Sequence, residues 1–324
     1  MKNYFKKRTF VWLLLSFGVI TSCEKATVEK ISTQINQDYI TYVSYEEFSN
    51  KLIEIVSMSP EERKNYEISN GYMSYGRYCD EFYNSIDFEQ FKSQEDIIAF
   101  VIANKEYLNL IDEGNGEYTV DVKYNEKFMR YMCGVNKIFI VKDSAYKILE
   151  DKFISCSFNN IEELNNITEA NYQSYIDDDE FLFFDSQVKT NSTKDDATNN
   201  GKSKEATSTN GNNRTKSMAL IELGPPISNY KATCYAGAKV RPYKKTLGIW
   251  YYCKRTIDLN TTFYVHYEID DIWYSTGGYS HNSTIYAYVH EYSITVPSYV
   301  DDAHFGDVYV YGDTPDTSPA IINY

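Results

Sequence analysis

The chain changes its hydrophobic period partway along. Behind Ser44-Tyr45-Glu46-Glu47, a capping box, Phe48, Leu52, Ile55 and Val56 recur on one helical face. Ser59-Pro60-Glu61-Glu62 repeats the signal with proline at the first helical position, where no backbone N–H is needed. Ser93-Gln94-Glu95-Asp96 opens a third helix whose apolar face includes Ile97, Ile98 and Val101. Asn160-Ile161-Glu162-Glu163 opens a short fourth. Between the third and fourth, Tyr118–Val122, Lys137–Val141 and Ser144–Ile148 read as strands, and Lys142-Asp143 as the tight turn of a hairpin.

From Asn229 onward the period is two. Ala232, Cys234, Ala236, Ala238 and Val240 share one strand face, and Thr233, Tyr235, Lys239 and Arg241 the other. Ile249, Tyr251 and Cys253 alternate with Trp250, Tyr252 and Lys254. Phe263, Val265, Tyr267 and Ile269 alternate with Tyr264, His266, Glu268 and Asp270, and Ile285, Ala287 and Val289 with Tyr286, Tyr288, His290 and Tyr292. Half-buried strands separated by Gly and Asp turns predict an antiparallel β-sandwich. The expected fold is an α+β domain followed by an all-β antiparallel sandwich.

The flanking segments set the boundaries. Lys2, Lys6, Lys7 and Arg8 precede the apolar run Phe10–Ile20, which is too short to span a bilayer, and Ile20-Thr21-Ser22-Cys23 follows. Residues 1–22 therefore read as a signal peptide and residues 23–43, polar and without clear period, as a tether. Residues 44–185 form the α+β domain. Residues 186–218 are nearly all Ser, Thr, Asn, Lys, Asp and Gly, a composition that buries too little apolar surface to offset ordering entropy, and read as a disordered linker. Residues 219–324 form the β-sandwich domain.

A basic stretch, a short apolar run and small residues before Cys23 resemble a bacterial lipoprotein signal. That resemblance implies cleavage before Cys23, acylation of its thiol and new amino group, and a mature protein anchored to a membrane while its body stays in water. Ser44-Tyr45-Glu46-Glu47-Phe48, Met58-Ser59-Pro60-Glu61-Glu62-Arg63 and the hairpin Ile138–Ile148 resemble segments of uncharacterised Bacteroidetes cell-envelope lipoproteins. The likeness covers roughly residues 1–170 and implies a location in the bacterial envelope, with the outer membrane first, and no catalytic residue.

Composition narrows the partners. At 324 residues, with 43% hydrophobic and 24% charged residues, the chain has the make-up of an ordinary globular protein, and its formal charge of −14 argues against nucleic acid. Tyrosine is in excess, with 32 copies. Charge is segregated: Lys231, Lys239, Arg241, Lys244, Lys245, Lys254 and Arg255 occur with no acid between Leu223 and Ile257, and no Lys or Arg follows Arg255. This is read either as cross-strand pairing within one sandwich or as a polar module that docks on a partner. Cys234 and Cys253 are equidistant from the centre of Pro242-Tyr243-Lys244-Lys245. A hairpin turning there sets them opposite one another, within disulfide range, and the alternative is two buried thiols.

The face carrying Tyr235, Lys239, Arg241, Trp250, Tyr252 and Lys254 mixes rings with cations. Rings stack on the C–H faces of sugars and cations hold carboxylate or sulfate, so this is the candidate glycan-binding surface. The competing reading is a covered sheet face with ordinary cation–π contacts. His266 and His290, with Glu268 near, are placed on one polar face but lack metal-site spacing. Asp301-Asp302-Ala303-His304 and Asp307 do not match a calcium loop, so no metal and no cofactor are expected. No Gly-x-Ser-x-Gly, P-loop or Gly-x-Gly-x-x-Gly occurs, and the first domain has no histidine to serve a nucleophile. The expectation is non-catalytic binding or adhesion at the cell envelope, with a glycan as first ligand. An envelope assembly component that binds another protein is the alternative, and a carbohydrate-active hydrolase comes third.

Overall fold

A computed structural model describes residues 38–124, 128–150, 152–185, 203–228, 231–296 and 299–324. The signal peptide, the expected lipidation site Cys23, most of the tether and residues 186–202 of the expected linker lie outside the described residues.

Among the described residues five α-helices form: α1 Tyr45–Ser57, α2 Pro60–Ser69, α3 Tyr75–Asn84, α4 Gln94–Ala103 and α5 Ile161–Asn166. The serines cap their helices as the sequence predicts, but the full capping box expected at Ser44 does not form, because the Glu47 carboxylate accepts from the Val43 N–H. Ser44, Ser59 and Ser93 each accept a hydrogen bond from the third helical N–H, and at Ser59 the Glu62 carboxylate completes the box by accepting from the Ser59 N–H at 2.8 Å. The buried stripe of α1 is Phe48, Leu52, Ile55 and Val56.

The first sheet runs β1 Tyr39–Tyr42, β4 Ile138–Val141, β5 Ser144–Ile148, β6 Lys152–Ser157 and β7 Phe181–Asp185. Val141 pairs with Ser144, so Lys142-Asp143 is the hairpin turn, with Lys142 at positive φ. β1 corrects the tether: Tyr39–Tyr42 pairs in parallel with β4, and buried Tyr42 donates to the Met132 carbonyl at 3.0 Å.

The second sheet runs β2 Leu108–Gly114, β3 Glu117–Val122, β11 Ile249–Tyr252, β10 Lys231–Thr246, β9 Asn213–Ser228 and β8 Ser203–Asn210, with β15 His290–Thr295 also on β10. The third joins β13 Ile272–Ser275, β12 Arg255–Ile269, β16 Asp302–Asp313 and β17 Ala320–Asn323, with β14 Tyr279–Ala287 also on β12. One core is shared between them: Ala219, Ile221, Leu223, Ala236, Ala238 and Val240 from the second sheet meet Ile257, Leu259, Phe263, Phe305, Val308 and Val310 from the third.

Two expected boundaries change. Residues 203–218 are not linker: they form β8 and the start of β9, a hairpin turning at Gly211-Asn212. Their polarity has a structural cause. β8 lies at the sheet edge, and inward-pointing Thr215 and Ser217 are satisfied by the Thr314 hydroxyl at 2.7 Å and the Ala320 carbonyl at 2.7 Å. The division into 44–185 and 219–324 is not upheld either. β3 pairs in parallel with β11 inside one sheet, and the chain from Ile35 to Tyr324 is one compact unit.

The Cys234–Cys253 disulfide is also corrected. Thr246 pairs with Ile249, so the β10–β11 hairpin turns at Leu247-Gly248, both at positive φ. That backbone twist matches the strands, whereas Pro242 stays within the ladder. Cys253 donates its N–H to Pro242, eight residues along β10 from Cys234, and the two thiols are separated by roughly 26 Å of strand. They form no disulfide.

Candidate functional site

The second sheet faces two ways. One parity of β10 packs on the third sheet; the other carries Tyr235, Lys239, Arg241 and Tyr243, joined through strand pairing by Trp250 and Tyr252 of β11 and Glu291 of β15. This is the face expected to bind glycan, and the structure covers it. Tyr235 is 1% exposed, Lys239 6%, Arg241 3%, Trp250 1% and Tyr252 7%; only Lys254 is open to solvent. The short helical turn Phe128–Tyr131 and helices from the first half of the chain supply the cover. Phe128 sits edge-on to Tyr235 at 5.1 Å, and the Tyr83 hydroxyl accepts from the Tyr252 N–H at 2.8 Å with the rings 4.5 Å apart. Trp250 donates to Glu117 at 3.0 Å, with Arg214 4.0 Å and Lys245 4.8 Å from its ring. Arg241 lies 5.1 Å from the Tyr252 ring and Lys254 5.1 Å from Tyr288. Cations stack on neighbouring rings of this face, and the six residues do not form one accessible site.

The outer face of the third sheet is open instead. Along β12 the inward residues Ile257, Leu259, Phe263 and Val265 are buried, while Thr256, Asp258, Asn260, Thr262 and Tyr264 are exposed. Cross-strand pairing tiles polar groups beside them: Asp258 lies between Thr284 and Asp313, Asn260 between Asn282 and Tyr311, Thr262 between Ser280 and Tyr309. From Thr256 to Glu268 this face is about 40 Å long. Rings punctuate it, with Tyr264 37%, Trp273 48% and Tyr286 71% exposed.

A row of rings crosses the sheet near one end. His266 pairs with His304 across the strands with ring centroids 5.2 Å apart, and His304 lies 4.8 Å from Trp273. Glycine makes the space: a Cβ on Gly306 would come within 2.6 Å of His266 Nε2, and one on Gly278 within 3.2 Å of the Tyr264 ring. Gly306 lies where β16 carries one extra residue between Phe305 and Val308, opposite Tyr264. No strand of this sheet carries a lysine, and its one arginine, Arg255 at the start of β12, is paired with Asp316. The face is therefore acidic and aromatic.

The sequence placed Tyr264, His266, Glu268 and Tyr286 on the polar side of strands, but Trp273 carried no signal separating it from the rings that are buried. His266 and His290, expected on one face, lie apart: His266 is on this outer face, whereas His290 starts β15 and is 4% exposed. His290 instead meets His281 of β14, with Nε2 atoms 3.4 Å apart and Ser283 Oγ between them at 2.8 and 2.7 Å. Asp301 accepts from the Asp270 N–H at 2.7 Å, closing an acidic turn. Among the described residues no group of three or more His, Cys, Asp and Glu is placed to hold a metal.

No family model matches the chain, and no curated protein matches it. Among solved structures it is similar to a DUF4848 family protein from Bacteroides thetaiotaomicron. The match has 11% identity and a TM-score of 0.29, and covers 88% of this chain and 96% of that one. A TM-score of 0.29 lies below the level at which two chains share a fold.

Proposed function

We propose that this protein is a lipid-anchored cell-envelope binding protein that holds a neutral glycan on the outer face of its third sheet. We read the second and third sheets as the two halves of a β-sandwich, a reading their shared core supports. The observation that carries the proposal is the exposure of Trp273, Tyr264 and Tyr286 on one long face lined with Asn260, Asn282, Asp258, Asp313 and Thr262. Rings stack on the apolar C–H faces of sugars, and amide and carboxylate groups accept or donate to ring hydroxyls. Sulfated and uronic-acid polymers fit this face poorly, because no strand of the third sheet carries a lysine and its one arginine, Arg255, is paired with Asp316. The address rests on the signal ending at Cys23.

The test is affinity electrophoresis of the protein through gels containing neutral polysaccharides, with Trp273→Ala, Tyr264→Ala and Tyr286→Ala alongside. Retention by at least one neutral glycan is expected, with loss in the ring variants and an unchanged far-UV spectrum. Retention indifferent to all three rings would move the site elsewhere, and no retention on any glycan would favour the protein-binding alternative. Metabolic palmitate labelling that disappears in Cys23→Ser tests the anchor.

A further inference from the structure

We infer that His281 and His290 form a binding site for a borderline divalent transition-metal ion, Zn2+ first, at the junction between the second and third sheets, where the ion would pin β14 to β15. The two imidazoles come from different sheets and are brought together only by the fold. Their Nε2 atoms are 3.4 Å apart and their ring centroids 5.5 Å, so the nitrogens nearly face each other. A tetrahedral zinc ion bonded to two imidazole nitrogens at about 2.05 Å spaces those nitrogens about 3.3 Å apart. The gap already has the width the ion needs.

The surroundings fix both rings in ligand-ready form. His290 Nδ1 lies 3.3 Å from the Ile257 carbonyl, which only accepts, so the ring proton sits on Nδ1 and Nε2 presents its lone pair. A backbone carbonyl behind a histidine is the usual support of a metal ligand. His281 is stacked on Tyr292 at 4.6 Å with 10° between planes, which holds its orientation. Without metal, His281 Nε2 donates to Ser283 Oγ, whose hydroxyl donates to His290 Nε2. Metal binding moves the His281 proton to Nδ1 and turns Ser283 toward the ion as a third, weaker ligand, with water completing the shell.

Two nitrogens and a hydroxyl select borderline ions over calcium or magnesium, which demand carboxylates and carbonyls. The site stands independently of the glycan reading, since it lies between the sheets and not on the outer face.

The experiment is titration of the untagged, chelator-treated full chain with ZnCl2, by calorimetry and by thermal melting. Binding of one Zn2+ is expected, with a Tm that rises with Zn2+ concentration and no effect of CaCl2. His281→Ala and His290→Gln should each weaken binding by at least about tenfold. Ser283→Ala, which leaves both imidazoles, should bind within a few-fold of the parent. The double variant His266→Ala/His304→Ala should bind as the parent does. No binding by the parent, retention of full affinity in His281→Ala, or loss in the His266/His304 variant would each overturn the assignment.

Discussion

Arg63 of α2 donates through Nη2 to Glu291 of β15, and the two side chains are only 2% and 7% exposed although 228 residues separate them in sequence. The pair is embedded: Arg63 also donates to the Met58 carbonyl at 2.8 Å and lies 4.5 Å from the Tyr131 ring and 5.0 Å from Phe128, while Lys239 is the strand partner of Glu291. It fastens the helical layer to the second sheet. Alternation along β15 does the rest, because His290 faces the third sheet and Glu291 faces the helices.

Breaking this pair from one side should cost more than removing it whole. Glu291→Gln leaves a guanidinium buried without its counter-charge and should destabilise the fold by about 3–5 kcal/mol in urea unfolding. Arg63→Met combined with Glu291→Leu should recover most of that loss, and a double variant no more stable than Glu291→Gln would refute the account.

The same carboxylate sets a pH dependence. Burial raises the pKa of Glu291, but attraction to Arg63 and Lys239 and the Arg63 hydrogen bond outweigh it and hold the group at about 2. The folded state then binds fewer protons than the unfolded one between an ordinary carboxyl pKa of 4.5 and about 2. This contribution is present above 4.5 and disappears as pH falls through 2, on the order of 3 kcal/mol in all. Urea midpoints measured from pH 6 to pH 2 should converge for the parent and Glu291→Gln at the acid end.

Gly312 of β16 lies against the second sheet with no room for a side chain. An added Cβ would come within 2.2 Å of Ser217 Oγ and 2.6 Å of Val240 Cγ2. Gly312→Ala should therefore lower stability by about 1–3 kcal/mol through overpacking, read as a drop in Tm. An unchanged Tm would mean that the two sheets are not pressed together there.

Trp250→Ala and Tyr252→Ala should behave as core truncations. Each ring is enclosed, so a loss of about 3–5 kcal/mol is expected in chemical unfolding, in contrast to the near-neutral effect of Trp273→Ala on the outer face. Equal tolerance of Trp250→Ala and Trp273→Ala would contradict the covering of the second sheet.

Thiol chemistry gives a further check. Burial pushes the Cys79 and Cys156 thiols up to about 12 and raises those of Cys133 and Cys253, so thiolates are scarce at neutral pH. Intact mass under oxidising conditions should show no loss of two hydrogens from a Cys234–Cys253 bond. Alkylation of both should be slow until urea is added; rapid native labelling of Cys234 would contradict its burial.

Much of the local structure was legible because its causes are local. Ser44, Ser59 and Ser93 cap helices through atoms three residues away, and Lys142-Asp143 turns a hairpin between two short apolar strands. α3 was less so: Ser74 precedes Tyr75, Cys79, Phe82 and Tyr83 at helical spacing, but Gly76 interrupts the run for a non-local reason, since a Cβ there would come within 2.5 Å of the Tyr131 ring. The polar stretch 203–218 read as linker because nothing in its composition reveals that Thr215 and Ser217 find partners around residues 314–320.

The sequence by itself determined which residues alternate and where α1, α2 and α4 start. What it left open was which side of each strand meets water, because period two separates two faces without saying what covers either one. Only the tertiary structure decided that: the turn Phe128–Tyr131 closes over Tyr235, α3 over Tyr252, and Glu117, Arg214 and Lys245 surround Trp250, while the outer face of β12 is left bare. The same packing brings His281 to His290 and Arg63 to Glu291, pairs whose members belong to different sheets or layers and so have no expression in any local pattern.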